Sequence, residues 1–129
     1  MSSPLVDIVV LVHDKADWAE LCVRSVEHFT KNPYRLIIVD MASQEPETKE
    51  LFSAWKERGH TVVHLSENKS FSHGVNTGVR AGSAKHCIVL NDDAIVTEGW
   101  DSALLSEINQ TQVGLVGARS NFAAGAQGG

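Results

Sequence analysis

Val6-Asp7-Ile8-Val9-Val10-Leu11-Val12, followed at once by His13-Asp14, is the stretch that decides the fold. An apolar run this short, rich in β-branched residues and followed by polar ones, reads as a strand buried on both faces, the kind found in parallel sheets. The pattern returns further along the chain. Leu36-Ile37-Ile38-Val39 ends at Asp40, Thr61 to Leu65 leads into the loop Glu67 to Ser72, Cys87-Ile88-Val89-Leu90 stops at Asn91-Asp92-Asp93, and Val113 to Val116 reads as a fifth strand.

The segments between these strands carry helical spacing. Ala16 to Thr30 places Trp18, Leu21, Cys22, Val26 and Phe29 on one stripe and ends before Asn32-Pro33. A second helix after Pro46 faces inward with Leu51, Phe52 and Trp55 and stops at Gly59, and a third carries Val75, Gly78, Val79 and Gly82, small residues suited to close packing on a sheet. A fourth is marked by Trp100, Leu104, Leu105 and Ile108. Trp18, Trp55 and Trp100 read as core residues. Strands alternating with helices through short loops predict an α/β fold: a Rossmann-like, mainly parallel sheet flanked by helices, with right-handed crossovers.

The chain has 129 residues, 43% apolar and 21% charged, with a net charge of -5. That is one domain, 1–129, with a glycine-rich tail over 117–129. No further periodic element follows, so the architecture reads as truncated. The negative charge argues against a nucleic-acid partner, which needs clustered Lys and Arg. Cys22 and Cys87 belong to no C-x-x-C pair and read as small core residues in a reducing compartment. The N-terminus lacks a signal-peptide pattern and no run spans a bilayer, so the cytoplasm is the default location.

In open parallel sheets ligands bind at the carboxyl ends of the strands, and the polar residues gather there: His13-Asp14, Asp40, Asn68-Lys69 and Asn91-Asp92-Asp93. No G-x-x-x-x-G-K-[ST] or G-x-G-x-x-G motif is present to cradle phosphates. A divalent cation on an acidic turn would serve instead, since Mg²⁺ or Mn²⁺ takes one or two carboxylates and fills its shell with phosphate oxygens and water. Asn91-Asp92-Asp93 has that chemistry, although the same residues also suit a solvated, capping turn. Asp40 equally suits a turn cap, Asn76 a backbone hydrogen bond and Lys69 a plain surface position. His28, His60, His64 and His86 show no metal-ligand spacing and read as mostly solvated.

The sequence resembles the first half of the family 2 glycosyltransferases of GT-A type. The resemblance rests on Ile8 to Asp14, Val39-Asp40-x-x-Ser43, Asn68-x-x-Phe71-x-x-Gly74-x-Asn76-x-Gly78, Leu90-Asn91-Asp92-Asp93 with Gly99-Trp100, and Val113 to Gly117 followed by Ser120-Asn121 and Gly125-x-Gln127. It implies a nucleotide-sugar donor, UDP-sugar favoured, with Asp40 on the base, His13 against base or ribose, Asp92 near the ribose and Asp93 holding Mn²⁺ or Mg²⁺. Val12, Asp14, Ser43, Asn68, Lys69, Gly74, Asn76 and Asn91 complete the implied nucleotide-binding set. Three positions depart from the family pattern: Asn91 replaces the first Asp of D-x-D, Asp14 stands where Asn is common, and Met41-Ala42 replace polar residues or Gly.

The resemblance further implies inverting transfer to a carbohydrate or other hydroxyl acceptor, with the catalytic base in the second half of the enzyme and outside this chain. A non-catalytic binding or assembly module of the same fold is the alternative. A phosphoacceptor receiver domain is the other, but it needs paired acids after the first strand and a lysine after the fifth, where His13-Asp14 and Ala118-Arg119 stand. A sheet edge or apolar face left open by a missing half would favour homo-oligomers.

Overall fold

The computed structural model describes residues 4–108. The elements are β1 (Val6–Val12), α1 (Ala16–Phe29), β2 (Tyr34–Asp40), α2 (Pro46–Glu57), β3 (Thr61–His64), α3 (Phe71–Ala81), β4 (His86–Asn91) and α4 (Trp100–Ile108). The four strands are all parallel and lie in the order β3-β2-β1-β4. The expected fifth strand at Val113 to Val116 and the tail 117–129 lie outside the described residues.

The first strand occupies the position its sequence predicts. β1 is central, paired on both sides and covered on both faces, so Val6, Ile8, Val9, Val10 and Val12 are fully buried. Period-2 alternation divides it. Val6, Ile8, Val10 and Val12 pack with Leu36 and Ile38 beneath α1, α2 and α4, while Val9 joins Ile37, Val39 and Met41 in a second core beneath α3. That division follows from handedness. The chain moves outward from β1 through β2 to β3 with its helices on one face, then returns past β1 to β4, which puts α3 on the other.

α1 buries Ala19, Cys22, Val23 and Val26, an i, i+3, i+4, i+7 stripe. The stripe expected from the largest side chains is therefore corrected: Trp18 is 53% exposed and Leu21 50% exposed, on the flank of the helix. Small residues take the inner face because α1 must approach the sheet closely. Trp55 of α2 is fully buried as expected, and Gly59 ends that helix with a φ of 94°. There the His60 N–H donates to Trp55 O at 3.1 Å and the Gly59 N–H to Lys56 O at 3.0 Å, a paired closure that needs the left-handed residue between.

Among the described residues β4 is an edge strand covered on one face only. Its burial alternates, so Cys87, read as a core residue, is exposed and Val89 beside it is 42% exposed. α3 packs over β1 and β2 and stops short of this strip. Cys22, by contrast, is buried as expected.

Candidate functional site

The strand order places β1 beside β4, although the chain leaves β1 in one direction and reaches β4 from the other. At such a switch point the loops diverge and leave a crevice at the carboxyl ends of the strands. A cleft of ≈ 380 Å³ opens there. Leu11, Met41 and Phe71 give it apolar lining, and His13, Lys15, Asn68, Lys69 and Asp92 its polar groups.

The loop after β1 is shaped by two left-handed residues, Asp14 (φ 55°) and Lys15 (φ 58°). This bend turns the Asp14 carboxylate toward the start of α2, where Oδ1 accepts the N–H groups of Gln44 at 2.9 Å and Glu45 at 2.8 Å. The Lys15 N–H in return donates to Glu45 Oε1 at 3.1 Å. α2 has no side-chain cap from its own N-cap residue, so these bonds satisfy donors the helix would otherwise leave unpaired. The Glu45 N–H, foremost, holds the Asp14 carboxyl below the usual carboxylate value. His13 is exposed, and its Nδ1–H donates to the Met41 carbonyl at 2.8 Å, which fixes the ring over the cleft.

Asp40 ends β2 and is 6% exposed. Its Oδ1 accepts the Ser43 N–H at 2.7 Å and its Oδ2 accepts His64 Nδ1–H at 2.8 Å, so the turn-capping reading of Asp40 is realised. The Ser43 hydroxyl accepts the Asp14 N–H at 2.9 Å. His64 is itself held edge-on to Phe52 with ring centroids 5.4 Å apart, and Lys56 Nζ lies 3.2 Å from its Nε2. His60, read as solvated, lies with its side chain 9% exposed and its Nε2 at 2.6 Å from Glu27 Oε2. Both histidines are therefore structural partners of acids. Their acids sit in other elements, which spacing along the chain does not reveal.

At the end of β4 the Asn91 carbonyl accepts the Ala94 N–H at 3.1 Å and the Cys22 thiol at 3.5 Å. Asp92 is half-buried and faces the cleft, and Asp93 is exposed. Burial, then the adjacent charge of Asp93, pushes the Asp92 carboxyl above its ordinary value, with Lys15 acting in the opposite direction. Burial, then the charges of Asp92 and Asp93, pushes the Cys22 thiol up to about 12.

The third helix starts at a Ser70 cap, whose hydroxyl accepts the His73 N–H at 3.2 Å. Gly74 is a packing residue: a Cβ there would stand 2.6 Å from Leu11 Cδ2 and 2.7 Å from Met41 Sδ. Asn76 is exposed on α3 and, like Gly74, is not part of the cleft lining. The structure thus brings His13, Asn68, Lys69 and Asp92 around one cleft. Asp14, Asp40 and Ser43 form the hydrogen-bonded frame beside it, Val12 is buried in the sheet, and Asn91 and Asp93 are exposed at the β4 end. Sequence reasoning missed Lys15, Leu11, Met41 and a role for Phe71. The signal for Lys15 was its place directly after His13-Asp14.

Among the described residues no cluster of three or more His, Cys, Asp or Glu side chains is arranged to hold a metal ion. A closed, all-protein cage is therefore not built here. The Asp92-Asp93 pair does fit an open site for a hard cation, which keeps oxygen ligands from a phosphate or water and relieves the repulsion between the two carboxylates.

The model of glycosyl transferase family 2 matches residues 7–125. The chain belongs to this family. Within glycosyl transferase family 2, the O-antigen biosynthesis protein RfbC of Myxococcus xanthus is 28% identical over 127 residues, 95% of this chain and 10% of that protein. Among solved structures, the mannosyltransferase PcManGT from Pyrobaculum calidifontis, in complex with GDP-Man and Mn²⁺, superposes with a TM-score of 0.78 at 19% identity, over 88% of this chain and 35% of that one. The crystal structure of S. aureus TarS 1-349 gives 0.70 at 11% identity, over 81% and 32%. At these identities the two structures show the shared GT-A fold. The chain spans a tenth of the length of the curated relative and about a third of each solved neighbour. No helix among the described residues is long and apolar enough to cross a membrane.

Proposed function

We propose that this family 2 domain binds the nucleotide-sugar donor of an inverting glycosyltransferase in the cleft between the ends of β1 and β4. The observation that carries the reading is the meeting of Lys15, Lys69 and Asp92 in one cleft at the switch point of a parallel sheet. Two ammonium groups suit a diphosphate, and a half-buried acid with a second acid beside it suits a divalent cation.

In this reading the donor runs across the strand ends in the order β3-β2-β1-β4. The base lies toward β2 and β3, near Asp40 and Asn68, the ribose near His13 and Asp92, and the diphosphate toward Lys15 and the acidic turn. As a carboxylate Asp40 only accepts hydrogen bonds, and its two oxygens each retain a lone pair beyond those used by Ser43 and His64. It therefore suits a base edge that offers an N–H, such as the ring N–H of uracil or guanine. UDP-sugar is the favoured donor, and GDP-Man in the mannosyltransferase neighbour satisfies the same rule.

Asp93, with Asp92 beside it, is the residue proposed to hold Mn²⁺ or Mg²⁺. Such a cation, when bound, stabilises negative charge on the departing diphosphate. The chain's own groups bind and orient: Lys15 and Lys69 neutralise charge, and the Asp14–Ser43–Asp40 frame fixes the loops. The base that deprotonates the hydroxyl of a carbohydrate or other acceptor lies outside this chain in the reading proposed here, so the isolated domain binds donor and transfers weakly or not at all.

The test is calorimetric titration of the protein with UDP and GDP, with and without Mn²⁺, alongside Asp93→Ala. Metal-dependent binding that the variant loses supports the reading. Absence of binding by either nucleotide under any metal condition overturns it in favour of a non-catalytic assembly module.

A further inference from the structure

Among the described residues seven large apolar side chains are strongly exposed, and Phe71 is the most exposed of them at 59%. It is the one that lines the cleft. Nothing in its position as the first residue of α3 requires an aromatic group, because the helix is started by the Ser70 hydroxyl and anchored by Gly74 and Gly78. Those contacts make its location rigid. Gly74 seats the first turn of α3 directly against Leu11 and Met41, and Leu11, Met41 and Phe71 supply the apolar lining of the cleft. Opposite chemistry borders it: Asn68 and Lys69 before the helix, His13 above the Met41 carbonyl.

A planar, largely apolar face with polar edges is the ligand such a wall recognises. A diphosphate gains nothing from it. We infer that Phe71, backed by Leu11 and Met41, is the stacking platform for the nucleobase, and that it sets the preference for a nucleotide over free pyrophosphate. This rests on the nucleotide reading above and adds to it a residue and a mode of contact. Stacking tolerates any base because each has a π-face, so Phe71 supplies affinity while hydrogen bonding at Asp40 supplies choice.

The test compares UDP and pyrophosphate, each with Mn²⁺, on the unaltered protein and on Phe71→Ala, Phe71→Leu and Phe71→Trp. Because the side chain is exposed, all three variants are expected to keep the thermal midpoint of the parent. Phe71→Ala is expected to weaken UDP about tenfold and leave pyrophosphate unchanged. Phe71→Leu falls between, and Phe71→Trp retains UDP affinity and shows fluorescence quenching on adding UDP but not pyrophosphate. Equal effects on the two ligands, or none on UDP, overturn the inference while leaving the nucleotide reading intact. A parent protein that binds pyrophosphate but no nucleotide overturns both.

Discussion

Gly78→Ala pits two effects of known size against each other. Within a helix, Ala is favoured over Gly by about 1 kcal/mol. Against that, a Cβ at position 78 would run into Val9 Cγ1 and stand 3.1 Å from Val39 Cγ2 and 3.2 Å from Val9 Cγ2. Both valines are fully buried in central strands and hold stiff χ1 rotamers, so neither methyl group can move aside. Overpacking of this kind costs about 1–3 kcal/mol, and the immobile neighbours put this site at the upper end. The net expectation is destabilisation by about 2 kcal/mol. With a urea m-value of roughly 1.5 kcal/mol/M, the midpoint falls by about 1.3 M. Urea unfolding followed by circular dichroism measures this directly. Repeating the substitution in a Val9→Ala background removes the closest methyls, and there Gly78→Ala should cost at least about 1 kcal/mol less. A variant as stable as its parent, or an unchanged cost in the second background, would refute the steric account.

Ala42 adopts φ 59°, where a Cβ is strained, so Ala42→Gly should raise stability by about 0.5–1 kcal/mol after the loss in unfolded-chain entropy, read as a higher thermal midpoint. Asp101 is fully buried and accepts the Asn32 N–H at 2.9 Å, the Asn32 side-chain amide at 2.7 Å and the Lys31 N–H; Asp101→Ala should cost about 2–4 kcal/mol at neutral pH by urea unfolding. Burial alone would raise the Asp101 pKa, but these bonds outweigh it and the carboxyl lies below its ordinary 3.8. A depressed folded-state pKa means stabilisation that is complete above 3.8 and lost as pH falls through the folded value, so parent and variant should converge in strongly acidic urea titrations. Cys87 is exposed and Cys22 is buried with its thiol pushed up to about 12, so a thiol reagent should titrate one cysteine in the native protein and both in denaturant.

The four described strands were legible because a strand covered on both faces announces itself by apolarity alone, as Val6–Val12 does. The same rule misled at β4, where Cys87 and Val89 look buried in the sequence, yet whether an edge strand is covered depends on how far α3 reaches across the sheet. In α1 the bulk of Trp18 and Leu21 drew attention from the smaller Ala19 and Val23 that meet the sheet. The site was legible as a place: acids and amides fall at strand ends, and the fold brings those ends to one edge. The tasks of individual side chains were less so. Asp14 caps a helix some 30 positions away and Asp40 takes a histidine from the next strand, partnerships fixed by register and loop geometry. Phe71 could be found only once its exposure was known.

The hydrogen-bonded frame that runs from Asp14 through Ser43 and Asp40 to His64 joins the loops after β1 and β2 to the end of β3. The Asp92-Asp93 turn stands opposite, on the strand paired with β1, and the His13 backbone N–H beside the frame draws on the Asp92 carboxylate. Mechanically the cleft is a vice with one jaw braced across three strands and the other bolted to it at β1. Alterations at the acidic turn are therefore felt first at His13, and the free energies of a ligand's two ends are coupled through that one loop.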